Sequence, residues 1–145
     1  MNITEYRLQT EGDLSFRIQK AYFESGAEKR SKAVLIIKFA GFHGEGSGGN
    51  RNSEFMKTVI SASLGLFLSD MLILDLTELK YEFGDSLASV LDIPSGIKSR
   101  DYETVLAVSD LCRKGLLSLM EFTQVSFRTF SGLEEALNYF SGLKI

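Results

Sequence analysis

Three short apolar runs constrain the fold of this chain more than any other feature. Residues 33–39 (AVLIIKF), 71–76 (MLILDL) and 104–108 (TVLAV) are almost continuously apolar and have the length of strands. A strand that is buried on both faces shows this pattern, whereas a strand with one face in solvent alternates apolar and polar residues. We therefore predict three central strands in a sheet that is covered on both sides.

Segments with helical spacing of apolar residues separate and follow these runs. The first begins at Ser53, with Asn52 or Ser53 as its cap, and places Phe55, Val59, Ala62 and Leu66 on one face. The second follows residues 84–86 and ends at 94–96, the third begins at 109 or 110, and the fourth follows a capping box from Ser131 to Glu134. Strands that alternate with helices predict parallel crossover connections.

Strands are also expected outside this central pattern. Residues 14–19 alternate apolar and polar residues and predict a half-buried strand, which we expect to pair with residues 6–10 across a turn at 11–13. A further short strand is predicted at 125–130. At 145 residues the chain has the usual size of one domain. We predict a single α/β domain over residues 1–145, with a mixed, mostly parallel sheet and about four helices.

Composition and charge limit the classes of function. The net charge is -3 and the nearest approach to a basic patch is the short run at 29–32, which argues against a nucleic-acid partner. No apolar segment approaches the about 20 residues that span a bilayer, and the start of the chain shows no secretory signal. Cys112 and His43 are the only residues of their types, so we expect no disulfide, no Cys/His metal site and a cytoplasmic location.

Residues 41–52 (GFHGEGSGGNRN) carry five of the 13 glycines. We expect a loop, because such a density of glycine favours neither a helix nor a strand. The loop precedes a helix, so its amide groups could contact an anion or a partner. The glycines match neither the Walker motif nor GxGxxG, which leaves a flexible surface loop as the other interpretation.

A nucleophilic triad of His43, Ser86 and either Asp85 or Asp75 is conceivable from residue types alone. The chain has no GxSxG motif, and a histidine in a glycine-rich loop is expected to be solvated, so no catalytic residue is assigned. Asp75 is predicted to end an apolar strand, where open α/β sheets place ligand sites, or to cap the following turn. Cys112 is interpreted as a packing residue.

Residues 71–91 (MLILDLTELKYEFGDSLASVL) resemble the centre of STAS domains, the family of bacterial anti-sigma factor antagonists and of the cytoplasmic domains of sulfate transporters. That family has an apolar strand ending in Asp-Leu-Ser/Thr, then a spacer, then Asp-Ser-Ser-Gly at the start of a helix. Residues 75–77 match the first part, and residues 84–87 match the second part without its glycine. The order of elements agrees over residues 14–140.

The resemblance implies a STAS-like, non-enzymatic regulatory module that binds a protein partner and needs no cofactor. In the antagonists a serine of this motif is phosphorylated by a partner kinase, and Ser86 is the position that corresponds to it. The candidate binding or regulatory residues are Ser86, Asp85, Gly84, Asp75 and Thr77 of this motif, together with His43 of the glycine-rich segment. The contact surface is expected around 41–52 and 84–86, and a homo-oligomer remains open.

A second likeness is to the strand-helix-strand core of crotonase or ClpP-like proteins, in which backbone amides near glycines stabilise an oxyanion. It implies a small enzyme that acts on an acyl or acyl-CoA substrate. An enzyme of this kind should bind acyl-CoA and gain thermal stability from it, whereas a STAS-like module should not.

Overall fold

The computed structural model describes residues 2–4, 14–25, 30–97 and 101–142. In chain order these residues form β1 (Ser15–Ser25), β2 (Arg30–Phe42), α1 (Gly46–Leu66), β3 (Met71–Lys80), α2 (Leu87–Ser95), β4 (Glu103–Ala107), α3 (Arg113–Thr123), β5 (Arg128–Phe130) and α4 (Leu133–Gly142). The predicted single α/β domain with a mixed sheet and four helices is confirmed.

The order of strands across the sheet is the order of strands along the chain, β1-β2-β3-β4-β5. β1 is antiparallel to β2, and the remaining neighbours are parallel. The partner of β1 is thus β2 over the whole length of β1, while residues 6–10, the partner predicted from the sequence, lie outside the described residues. All three apolar runs form strands. The strands β2 and β3 are longer than the apolar runs 33–39 and 71–76 that they contain.

The sheet separates two apolar clusters. The first holds alternate strand residues and the buried faces of α1, α2 and α3, including Leu35, Ile37, Phe39, Leu72, Leu74, Leu76, Leu106 and Val108 from the strands. The second holds the intervening strand residues and α4: Val34, Ile36, Met71, Ile73, Val105, Ala107, Ala136 and Phe140. Because successive side chains of a strand point to opposite faces, burial on both sides accounts for the continuous apolar runs.

The glycine-rich segment is not the loop that the sequence predicts. β2 continues to Phe42, and α1 already begins at Gly46, so glycines form its first turn. Close packing explains one of them: a Cβ atom on Gly49 would lie 2.3 Å from the carbonyl oxygen of Gly44 and 3.1 Å from Ser86 Oγ. Glycine is therefore needed for the approach of this helix to its surroundings, and that need outweighs its low helix propensity.

The buried face of α1 also differs in part from the predicted one. Phe55, Met56, Val59 and Ile60 are buried, whereas Ala62 and Leu66 are exposed. Asn52 and Ser53 lie inside the helix and do not cap it, because the helix begins before them. The prediction of an amphipathic helix is therefore correct. The predicted first residue is wrong, and so is the predicted burial of the last turn.

Two other helix starts differ from the sequence prediction. Ser109 does not begin α3; its hydroxyl donates to the carbonyl of Thr77 at 2.7 Å and accepts from the amide of Leu111, which makes a turn before the helix. At the start of α4, the amide of Ser131 donates to Glu135 Oε2 at 3.2 Å, so Glu135 takes the part that the capping box assigned to Glu134. The helix begins at Leu133, which makes Glu135 its third residue.

Candidate functional site

Ser86 lies at the start of α2, where the chain turns after β3. Gly84 precedes it with φ +129, a left-handed conformation that favours glycine. The hydroxyl of Tyr81 donates to the carbonyl of Gly84 at 2.6 Å and holds the turn against the end of β3. Ser86 is half-buried, and its side chain makes no capping hydrogen bond to α2.

His43 is buried, with 1% of its surface exposed, and is not the solvated loop residue that the sequence suggests. It directly follows β2, and its amide donates to the carbonyl of Lys80 at 2.9 Å, which continues the pairing of β2 with β3. The edge of its ring packs on Tyr81 with the ring centroids 5.4 Å apart. Its Nε2 lies 2.8 Å from Ser53 Oγ.

Ser53 connects His43 to Ser86. Its hydroxyl oxygen is 3.1 Å from Ser86 Oγ, within hydrogen-bond distance, and only 1% of the residue is exposed. His43, Ser53 and Ser86 therefore form a continuous line of hydrogen bonds, which we call the hydroxyl chain. It joins the end of β2, the body of α1 and the start of α2.

Sequence reasoning missed the part played by Ser53, which it assigned to the helix cap. The available signal was the helical period: Ser53 shares the buried face of α1 with Met56 and Ile60. A hydroxyl on such a face needs a partner, because burial of an unpaired polar group is costly. The sequence could not show that two partners, 10 residues before and 33 residues after Ser53, would supply it.

The structure does not form the triad that residue types allow. His43 reaches Ser86 only through Ser53, and within the described residues its Nδ1 atom has no hydrogen-bond partner. Neither Asp75 nor Asp85 therefore orients the imidazole as the acid of such a triad does. Because the Ser53 hydroxyl donates its proton to Ser86 Oγ, this chain of hydrogen bonds can hold the Ser86 hydroxyl oxygen in place.

Asp75 and Thr77 form a separate group. Asp75 is buried inside β3 and does not end the strand as predicted, since β3 continues to Lys80. Its Oδ1 accepts hydrogen bonds from the amide of Thr77 at 3.1 Å and from the hydroxyl of Thr77 at 2.6 Å. The alternation of β3 places Asp75 on the sheet face that carries Met71 and Ile73, away from the α1 side.

A groove of about 650 Å³ adjoins Ser86, between the turn after β3 and α3. Its walls include Phe83, Gly84, Asp85, Leu111, Lys114 and Phe122. The large apolar side chains Phe83, Leu111 and Phe122 are exposed there, with charged residues beside them. An apolar patch with a polar rim is the composition of many protein-protein contact surfaces.

Burial lowers the pKa of His43, while the backbone groups of Gly44 and of His43 itself act in the opposite direction. Burial raises the pKa of Tyr81 to about 12, and the negative charge of Asp85 adds to this effect. At neutral pH we therefore expect a neutral imidazole next to a neutral phenol. Burial likewise raises the pKa of the Cys112 thiol, whose Sγ donates to the carbonyl of Leu76, in agreement with a packing role.

We expect the free energy of unfolding to fall as the pH is lowered through the ordinary pKa of histidine, about 6.5, and to stop falling below the lowered pKa of folded His43. The reason is that the unfolded chain takes up a proton that the buried imidazole resists. His43 is the only histidine, so urea titrations between pH 5 and 8 report on it. His43→Gln should remove this slope, and a slope of the same size in the variant would contradict the assignment.

Among the described residues, no three His, Cys, Asp or Glu side chains lie close enough together to hold a metal ion. The same part of the chain has no helix that is both long and apolar enough to cross a membrane.

Neither a protein-family model nor a curated protein sequence matches the chain. A structural match is found to an anti-sigma factor antagonist from Mycobacterium paratuberculosis, with a TM-score of 0.53 and 13% sequence identity. The match covers 90% of this chain and 97% of the antagonist. At this identity the likeness is one of fold, and it confirms the STAS-like architecture that the sequence predicts. The chain therefore has the fold of an anti-sigma factor antagonist.

Proposed function

We propose that this protein is a cytoplasmic, non-enzymatic regulatory module that binds a protein partner through the surface around Ser86, and that a phosphate on Ser86 controls the binding. One observation carries the proposal. In the fold of an anti-sigma factor antagonist, Ser86 at the start of α2 lies against the glycine-rich start of α1. The two segments that the sequence selects as the contact region, 41–52 and 84–86, are therefore neighbours in space.

The groove supports a protein as the partner. Phe83, Leu111 and Phe122 expose apolar surface within the groove that also contains Gly84 and Asp85. Aromatic side chains contribute much of the binding energy at protein interfaces, because they bury a large area with few rotatable bonds. A partner that covers both the groove and Ser86 would make apolar contacts in the groove, and its affinity would depend on whether Ser86 carries a phosphate.

Ser86 lies at a position where the fold can accommodate the negative charge of a phosphate group. A phosphate there would lie at the N-terminus of α2, where the helix dipole stabilises negative charge. The modification adds about two negative charges at neutral pH without requiring the helix to unfold. We therefore expect phosphorylation to change binding and to leave the fold intact.

Ser86→Asp should weaken the partner about tenfold, which corresponds to about 1.4 kcal/mol, because the partner must accommodate a desolvated charge. The partner is first isolated from native extract with the wild-type protein, and titration calorimetry then compares the variants. Ser86→Ala should bind nearly as the wild type does. Ser61→Asp, which adds the same charge at an exposed position of α1, is the matched control and should also leave affinity unchanged.

Equal affinities for the wild type and Ser86→Asp would remove Ser86 from the function. Failure to isolate any partner, together with an increase in melting temperature on addition of acyl-CoA, would favour the crotonase or ClpP-like alternative.

A further inference from the structure

We propose that a negative charge on Ser86 and a proton on His43 stabilise each other across the hydroxyl chain, so that the phosphorylated protein holds this proton more tightly than the unmodified protein does. The inference rests on the proposed function in that the charge on Ser86 is a phosphate group. It goes beyond that function because it makes the switch depend on pH, through a histidine that is buried beneath the surface on which a partner would bind.

The hydrogen bonds of the hydroxyl chain run in one direction, from the imidazole ring to Ser86. The hydroxyl of Ser53 donates its proton to Ser86 Oγ at 3.1 Å. A serine hydroxyl has a single proton, so Ser53 Oγ accepts in its contact with His43 Nε2 at 2.8 Å, and Nε2 is the donor. The neutral ring therefore carries its proton on Nε2 and its lone pair on Nδ1.

Protonation of the ring leaves this arrangement intact. The additional proton enters at Nδ1, which is buried and has no hydrogen-bond partner among the described residues. Nε2 continues to donate to Ser53, and Ser53 continues to donate to Ser86. The neutral and the charged forms of His43 thus share the same hydrogen bonds, and no side chain has to reorient when the ring takes up a proton.

The two opposite charges would lie close together. His43 Nε2 and Ser86 Oγ both contact Ser53 Oγ, so they are no more than about 6 Å apart, a range in which an opposite charge favours the charged form of a titratable group. Ser53 lies between them and is 1% exposed. Because this path is buried, solvent and salt weaken the interaction less than they weaken one between two surface charges.

Burial is the main influence on the pKa of His43 and lowers it, while the backbone groups of Gly44 and of His43 itself act in the opposite direction. Within the part of the chain that the structure describes, no charged side chain is among these causes. A charge on Ser86 would therefore add an electrostatic attraction that the unmodified protein lacks. We expect it to raise the pKa of His43 from its lowered value.

Other titratable groups lie on the elements around the ring, namely Glu45, Arg51 and Glu54 before and within α1, Lys80, Tyr81 and Glu82 at and after the end of β3, and Asp85 before α2. Tyr81 contacts the ring, and burial raises its pKa to about 12, so it stays neutral where histidine titrates. All these groups are the same in the wild type and in variants of Ser86. A difference in the pKa of His43 between these proteins therefore reports on the charge at position 86.

The coupling acts in both directions, because linkage between two sites is reciprocal. If the phosphate raises the pKa of His43 by about one unit, a proton on His43 favours the phosphorylated form over the unmodified form by up to about tenfold. Through His43, a fall in pH would therefore shift the protein toward the form that the proposed function makes the weaker binder.

The pKa of His43 can be measured in the full chain by NMR titration of the ring between pH 4 and 8, because the chain has no other histidine. We expect the pKa to be about one unit higher in Ser86→Asp than in Ser86→Asn, which has nearly the same shape without the charge. Ser61→Asp adds the same charge at an exposed position of α1 and should leave the pKa at its wild-type value.

Urea titrations give a second measure of the same coupling. Between pH 7 and 5 the free energy of unfolding should fall less in Ser86→Asp than in Ser86→Asn, because a folded protein with a higher pKa of His43 resists the proton less. Circular dichroism and thermal melts establish that each variant is folded. Ser86→Glu carries the same charge and takes the place of Ser86→Asp if that variant does not fold.

Equal pKa values of His43 in Ser86→Asp and Ser86→Asn would overturn the coupling, and so would an equal increase in Ser61→Asp. These measurements use the isolated protein and need no partner. A raised pKa together with an unchanged partner affinity of Ser86→Asp would support the coupling and contradict the proposed switch. An unchanged pKa together with a weakened partner would do the reverse, so the two proposals can fail separately.

Discussion

Phe140→Ala should lower the free energy of unfolding by about 3–5 kcal/mol, as measured by urea denaturation, because it removes a fully buried aromatic side chain and leaves a cavity. Phe140 belongs to α4, the described helix whose side chains pack in the second apolar cluster, against Val34, Ile73 and Val105. Loss of its ring therefore removes the larger of the two buried side chains of α4.

Phe122→Ala is the matched control for Phe140→Ala. The substitution is chemically the same, but Phe122 is 78% exposed, so the free energy of unfolding should change by no more than about 0.5 kcal/mol. Similar losses of stability in the two variants would show that α4 does not pack as described. Phe122 lies in the groove, so the control also provides a folded protein in which the groove has lost an aromatic side chain.

Gly49→Ala should destabilise the protein by about 1–3 kcal/mol, although alanine is the better helix former. The added Cβ would lie 2.3 Å from a backbone oxygen, that of Gly44, which no side-chain rotation can relieve. The start of α1 must then move away from Gly44. We therefore expect a lower melting temperature than that of the wild type.

Gly65→Ala tests the same substitution in the same helix where space is open. A Cβ atom on Gly65 would have no neighbour within 4 Å, so alanine should stabilise the protein by about 0.4–1 kcal/mol through its effect on the unfolded chain. Opposite signs for the two alanine variants are the expected result. A gain in stability from both would contradict the close approach of α1 to Gly44.

The central strands could be predicted from the sequence because the pattern that identifies them is local. In 33–39 and 71–76 every residue except Ala33 and Lys38 is buried, so the apolar run alone indicates the strand. The start of α1 could not be predicted in this way. Glycine at position 49 disfavours a helix locally, and the contact with Gly44 that requires it exists only after folding.

Individual residues of the candidate site could be predicted from the sequence, but the hydrogen bonds that join them could not. Ser86 and His43 stand out by residue type and by position near glycines, and the resemblance to STAS domains selects Ser86. The contact between them depends on Ser53, which is far from Ser86 in sequence and has no motif around it. Asp75 and Thr77 belong to the same motif as Ser86, yet the alternation of β3 directs Asp75 to the other face of the sheet.

The agreement between strand order in the sheet and strand order in the chain has a consequence for folding kinetics. Every strand pairs with the strand that precedes it in sequence, so each new pairing closes only one connection. Of these pairings only that of β1 with β2 is local, whereas each parallel pairing must close a connection that contains a helix, and closure of a longer loop costs more entropy. We expect the β1-β2 hairpin to form first and the later strands to join one open edge in turn. During synthesis the strands can then assemble as they emerge, and the face beneath α4 is the last to be covered.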